Sequence, residues 1–151
     1  LAFEQLEAVR QWLLIEPELD VQQVGVMGFC MGGRFALLYG AQAPLAVVAP
    51  FYGMVPPKAE DLQGICPVVG GWGEKDMIMG KHGKLLNKHL DQLGVEHDVK
   101  SYPDAGHSYM NNHDTFIFRE LGDYSPLRSK YNEAASEDSW ERVFAFFNKV
   151  L

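Results

Sequence analysis

Apolar positions along this chain switch from helical spacing to continuous runs and back. Phe3, Leu6, Val9 and Leu13 recur at helical spacing among Glu, Gln and Arg, which predicts an amphipathic helix over residues 2–15, ended by Pro17 and Asp20. Residues 21–27 read as a short strand closing on Gly28, and a helix follows from about Met31 until Pro44 stops it. Residues 45–52 and 65–70 are apolar nearly throughout, as strands buried on both faces of a parallel sheet are. Between them, residues 53–64 form a loop marked by Pro and Gly. Leu85, Leu86, Leu90 and Leu93 share one face of a helix predicted over 81–93, with Gly94 placed to end it in a left-handed conformation. Residues 95–102 alternate more than the other strands, which puts them nearer a sheet edge. An irregular stretch from 103 to 130 precedes a closing helix from about Asn132, striped by Trp140, Val143, Phe144, Phe147 and Leu151.

Helix and strand therefore alternate from one end to the other. Strands joined by crossovers of this length run parallel with right-handed connections. The expected class is α/β, a three-layer fold in which a parallel sheet of about four strands carries helices on both faces. The 151 residues suffice for one domain, spanning 1–151. Its first residue is Leu1, in what reads as mid-domain helix, so an N-terminally truncated domain is expected. The 103–130 stretch exceeds most structureless connections and is a candidate functional loop.

Charge and composition remove several function classes. Thirteen Lys and Arg against twenty Asp and Glu give a net charge of −7, which disfavours nucleic acid and anionic membranes as partners. No apolar run approaches the roughly 18 residues of a membrane-spanning helix. Two cysteines cannot build a disulfide framework and no signal peptide is visible, so a reduced, cytoplasmic protein is expected.

The chemistry concentrates at three strand ends. Gly28-Phe29-Cys30-Met31-Gly32-Gly33 sits where the first strand gives way to a helix. Glycines two before and two after a nucleophile suit a sharp strand-to-helix elbow, where side chains at those positions would collide. With Gly at about 7% of residues, flanking either cysteine this way by chance has a probability of about 1%. A thiol just before a helix N-terminus is also stabilised as thiolate by the oriented N–H groups. Cys66, preceding Pro67, reads as structural. In open α/β sheets sites lie beyond the carboxyl ends of the strands. There, Gly73-Glu74-Lys75-Asp76 follows one later strand and Ala105-Gly106-His107-Ser108-Tyr109 another. Nucleophile, acid, histidine is the chain order of α/β-hydrolases. Asp76 leads as the acid because it ends its turn; Glu74, Asp104 and Asp114 are the rivals.

These motifs, with the closing run from Tyr131 through Trp140-Glu141-Arg142 to Phe147, resemble the dienelactone hydrolase family over essentially the whole chain. The resemblance implies the C-terminal part of an α/β-hydrolase fold. It makes Cys30 the nucleophile, His107 the base and Asp76 the orienting carboxylate, with ester or lactone hydrolysis through an acyl-cysteine and no metal or organic cofactor. The backbone N–H of Met31 would donate to the oxyanion. A complete α/β-hydrolase has about eight strands and draws a second oxyanion donor from the loop after the third. The early strands and that donor are expected to be missing here. Self-association or a missing N-terminal segment would then cover the bare edge of strand 21–27. Family members acting on dienelactone carry an arginine four residues after the histidine; Asn111 stands there, and Arg119 of the following loop reads as an exposed loop arginine before it reads as a substitute.

Tyr52, Trp72 and Tyr109 fall near strand ends and are candidate pocket walls. His82 and His89 on a Lys-rich helix face, His97 on a strand and His113 lack a ligand-spaced thiolate or carboxylate set, so no metal site is expected. Lys81, Lys84 and Lys88 read as a solvated helix face. The glycines at 70, 71 and 73 do not make a phosphate loop. Three functions remain open: a small-ester or lactone hydrolase, a general carboxylesterase or thioesterase with the same residues, and a non-catalytic half-fold serving as a binding or assembly module.

Overall fold

The computed structural model describes residues 2–112 and 124–151. Four parallel strands, β1 (Gly25–Phe29), β2 (Val47–Phe51), β3 (Val68–Gly73) and β4 (His97–Tyr102), lie side by side in chain order. The helices among the described residues are α1 (Ala2–Ile15), α2 (Met31–Gly40), α3 (His82–Leu93) and α4 (Glu133–Val150), with a 3-10 turn at Ala59–Leu62. Because each strand neighbours the next and the sheet advances in one direction, right-handed crossovers stack α2, the 3-10 turn and α3 on one face. α4 packs on β2, β3 and β4 from the other. This is the three-layer α/β arrangement expected.

Burial explains the strand reading. Every residue of β2 and β3 is buried, whereas β4 is half-buried along most of its length, as an edge strand should be. Gly94 ends α3 at φ 67, and Asn132 caps α4 by accepting from the N–H of Ala135 at 3.0 Å. All four strands begin later than the hydrophobic runs suggest, β1 and β3 by the most. β1 starts at Gly25, not at 21, and β3 runs from 68 to 73, not 65 to 70. Pairing decides both: Gly25 meets Val47, and β3 meets all six residues of β4. Gly70, Gly71 and Gly73, of which only the first falls in the expected strand, are all strand residues with neighbours too close for a Cβ. The expected loop 53–64 also contains the 3-10 turn.

α4 is fastened to the β4 edge by Arg142 on Asp98, Lys100 on Asp138 and Lys149 on Glu96. At the opposite side α1 meets α2 through a bidentate Arg10–Glu7 pair whose carboxylate also accepts from Tyr39, at 2.7 Å. Val9, Trp12 and Ile15 of α1 remain more than half exposed. Among the described residues β1 pairs only with β2, so its outer edge is open there. No helix among the described residues is long and apolar enough to cross a membrane.

Candidate active site

β1 ends at Phe29, and the chain reverses into α2 within one residue, Cys30. That residue takes φ 53 and ψ −119, a strained backbone conformation for a side-chain-bearing residue. Its N–H donates to the Phe51 carbonyl at 3.0 Å and its own carbonyl accepts from Gly33 at 3.0 Å, which fixes the bend from β1 into α2 against the end of β2. The thiol is exposed. The elbow is as tight as the motif implies on one side only. A Cβ on Gly28 would sit 2.1 Å from the Gly32 carbonyl oxygen, and one on Gly33 would sit 2.9 Å from that of Phe51. A Cβ on Gly32 would meet nothing within 4 Å. The steric argument for Gly32 is therefore corrected: it is the backbone of Gly32, not a missing side chain, that needs room. Met31 is the first residue of α2, so its N–H has no partner four residues back and lies beside the thiol-bearing residue.

Asp76 and His107 come together from the ends of β3 and β4. Asp76 Oδ2 accepts from His107 Nδ1 at 2.7 Å, with both side chains almost wholly buried. The second carboxylate oxygen, Oδ1, accepts from the N–H groups of Ile78 and Met79, each at 2.9 Å. Burial opposes ionisation of Asp76. The His107 bond and the two backbone bonds outweigh it, holding the carboxyl below its ordinary range. Of the rivals, Glu74 pairs with Lys84 at 2.8 Å and Asp104 lies 3.5 Å from Lys75. Asp114 lies outside the described residues, as do His113 and Arg119.

Strands spaced by about 4.8 Å put β1 and β4 roughly 14 Å apart, so the histidine must be carried inward. The loop after β4 crosses the end of β3 where both chains are stripped of side chains. A Cβ on Gly73 would stand 2.4 Å from the Gly106 carbonyl oxygen. The loop is pinned by the His107 N–H on Leu127 and the Met77 N–H on Pro126, at 2.8 and 3.0 Å. This brings the His107 ring to 5.1 Å from that of Tyr52, at the end of β2. Tyr52 is itself left-handed, at φ 39, and 1% exposed. Burial first, and then the nearby Cys30 charge, raise its phenol above the ordinary value. Tyr52 thus adjoins both Cys30 and His107.

The other two candidate pocket walls are core residues. Trp72 is fully buried within β3 and donates its indole N–H to the Gly53 carbonyl at 2.9 Å. Tyr109 is fully buried and its hydroxyl is 2.8 Å from that of Ser139 on α4. Both satisfy their polar atoms inside the protein. Asn111 is exposed, and its side-chain oxygen lies 3.5 Å from the Tyr52 hydroxyl, so no cation stands at that position. Cys66 is half-buried just before β3, and burial pushes its thiol up to about 11. Grooves of about 450 and 490 Å³ flank α1, lined by residues such as Arg10, Leu14, Phe3 and Gln42, and contain none of these groups.

His89, placed by its sequence on a solvated lysine face, is buried with its Nε2 3.1 Å from the Pro56 carbonyl, and His82 is half-buried and accepts from Val55. The available signal is Pro56-Pro57, two residues without N–H groups, which demand outside partners for the backbone around them. Among the described residues no three His, Cys, Asp or Glu side chains gather as a metal-binding group.

The dienelactone hydrolase family model matches residues 2–151. The chain is 32% identical over 145 residues to carboxymethylenebutenolidase of Rhodococcus opacus, covering 87% of this chain and 52% of that protein. Among solved structures, a dienelactone hydrolase-like promiscuous phosphotriesterase from metagenomic libraries superposes with TM-score 0.78 at 24% identity, covering 98% of this chain and 61% of that one. A carboxylesterase from Lactobacillus plantarum superposes with TM-score 0.73 at 14% identity, covering 99% and 68%. These last two similarities are of fold. The chain spans about half the length of the curated relatives it matches.

Proposed function

Since the chain belongs to the dienelactone hydrolase family, we propose that it hydrolyses small esters or lactones through an acyl-enzyme on Cys30. The observation that carries this reading is the buried Asp76–His107 pair at 2.7 Å, delivered from neighbouring strand ends towards the elbow that bears an exposed thiol.

The roles follow from the hydrogen bonds. Asp76 is held ionised, so it accepts from Nδ1–H and leaves the lone pair of His107 on Nε2. Nε2 takes the thiol proton of Cys30, and the sulfur attacks the carbonyl carbon. The carbonyl π pair moves onto oxygen, where the Met31 N–H donates to it. Loss of one such donor typically costs about 100- to 1,000-fold in rate. Collapse of the adduct breaks the C–O bond, and His107 returns its proton to the departing alkoxide. Water then gives a proton to Nε2 as it attacks the thioester, and the thiol leaves with that proton. Asn111 offers no positive charge, which favours uncharged esters over carboxylate-bearing lactones; the same groups would serve a thioesterase.

Turnover of p-nitrophenyl acetate by the chain tests the proposal. It is expected to vanish in Cys30→Ala and to fall steeply in His107→Ala; equal turnover in both variants and the parent overturns it. The open β1 edge and the exposed Val9, Trp12 and Ile15 favour a second reading, a half-fold that serves as an assembly module. A Cys30 that alkylates no faster than an ordinary buried thiol supports that reading instead.

A further inference from the structure

We infer that His82 is a positioning residue for the elbow: its neutral imidazole ties down a strap of residues 52–56 that crosses the nucleophile's turn, and proton uptake by that ring releases the strap. The tie stands on its own geometry; its consequence for chemistry rests on the proposed role of Cys30.

The strap starts at Tyr52, whose ring faces His107, and continues through Gly53. A Cβ on Gly53 would lie 2.7 Å from the Cys30 carbonyl oxygen and 2.8 Å from the Arg34 nitrogen, so this peptide is pressed directly on the elbow. Farther along, Val55 carries the last N–H before Pro56 and Pro57, and it is buried. That N–H donates to Nδ1 of His82 at 3.1 Å. Seven residues on, along the same face of α3, Nε2 of His89 reaches the Pro56 carbonyl at 3.1 Å. A carbonyl only accepts, so His89 carries its hydrogen on Nε2. Among the described residues the Nδ1 atom of His89 has no hydrogen-bond partner. Two histidines of α3 thus hold consecutive residues of the strap, one by accepting and one by donating.

His82 can accept only while its Nδ1 is unprotonated. A second proton turns that atom into a donor facing another donor, and the Val55 N–H loses its partner. Burial lowers the ring's pKa and Arg34 of α2 acts in the same direction, while Asp76 opposes both. Elsewhere around it, Lys84 on its own helix pairs with Glu74, Lys81 is exposed, and Glu60 and Asp61 lie exposed on the 3-10 turn packed against α3. Residues 53–57 contain no ionisable group. The neutral, accepting ring is therefore the resting state near neutrality.

Hydrogen exchange of the Val55 amide, followed by NMR on the full chain between pH 7.5 and 5 and corrected for intrinsic rates, tests the tie. Val55 protection is expected to fall tenfold or more as the His82 ring titrates, while the amide of Val48, bonded to the Pro67 carbonyl, stays protected. His82→Asn, whose side-chain oxygen can stand in for Nδ1 without titrating, should keep Val55 protected at every pH. His82→Leu should leave it unprotected throughout. Val55 protection that ignores the His82 titration in the parent, or that survives in His82→Leu, overturns the inference. Iodoacetamide labelling of Cys30 in the same samples separates the two claims. A titrating Val55 with an inert Cys30 keeps the tie and sinks the catalytic reading; a reactive Cys30 with a pH-independent Val55 does the reverse.

Discussion

Cys30 and Cys66 are the same residue in two opposite settings. Cys30 follows β1 at the carboxyl edge of the sheet, in a left-handed conformation, exposed, at the start of a ten-residue helix. Cys66 precedes β3 at the amino edge, half-buried ahead of Pro67, with its thiol pushed up to about 11 by burial. At pH 7 a thiol of that acidity is ionised in only about one molecule in ten thousand, and the thiolate is the nucleophilic form. Position along a parallel strand, not composition of the neighbourhood, separates them. Helix N-termini and oriented N–H groups gather at one end of every β–α unit, and that end holds Cys30.

The comparison breaks most readily on reactivity. Cys30→Ala is expected to lower ester turnover by at least about 10,000-fold, while Cys66→Ala leaves it unchanged. Stopped assays with p-nitrophenyl acetate check both. Next comes the acid. Asp76→Asn removes the negative partner of His107, with an expected loss on the order of 1,000- to 10,000-fold. Glu74→Gln and Asp104→Asn, whose carboxylates sit in partly exposed ion pairs, should cost less than about threefold in the same assay.

Glycine substitutions sharpen the contrast on stability. Gly28→Ala drives a methyl group into the Gly32 carbonyl, and urea unfolding should show a loss of about 2 kcal/mol or more. Gly64, beside Cys66, is open but sits at φ 85, so Gly64→Ala is expected to cost only about 1 kcal/mol. Gly32→Ala, with open space and a helical site, should gain about 0.5–1 kcal/mol.

The smallest effect is the pH dependence of stability. Asp76 is lowered in the fold, so its contribution is complete above its ordinary value near 3.8 and fades as pH falls through its folded value. His82 is also lowered, which favours the neutral ring; its contribution is complete above about 6.5 and fades as pH falls below that. Both slopes have the same sign, so melting temperature should decline on acidification from pH 7. His82→Asn should remove the shallow upper part of that decline, as calorimetry would report.

What was legible in the sequence follows from what kind of force fixed each feature. The bend at Cys30 is legible because Gly28 answers to a local collision, and the meeting of Asp76 with His107 because parallel strands deliver their following loops to one end. Strand limits were less legible. The chain at 21–24 meets the segment before β2 through the Ala46 N–H on the Val24 carbonyl at 2.9 Å without entering the strand ladder, and the strand expected to end at residue 70 runs on to Gly73 because β4 pairs with Gly71, Trp72 and Gly73. The full burial of Trp72 and Tyr109 is illegible because their partners, Gly53 and Ser139, are distant in the chain. The His82 and His89 bonds are illegible for the same reason: their partners, Val55 and Pro56, lie in a distant loop, while Lys81, Lys84 and Lys88 make the helix read as solvated.

At the crossing of Gly73 and Gly106, two bare peptides touch, and the reach of the imidazole equals the thickness of one chain laid over another. Any atom added there works as a shim. It would lift the His107 ring from its seat beside Asp76 and Tyr52 while leaving all three side chains intact, so the pair can be detuned by degrees from a spot made of backbone alone.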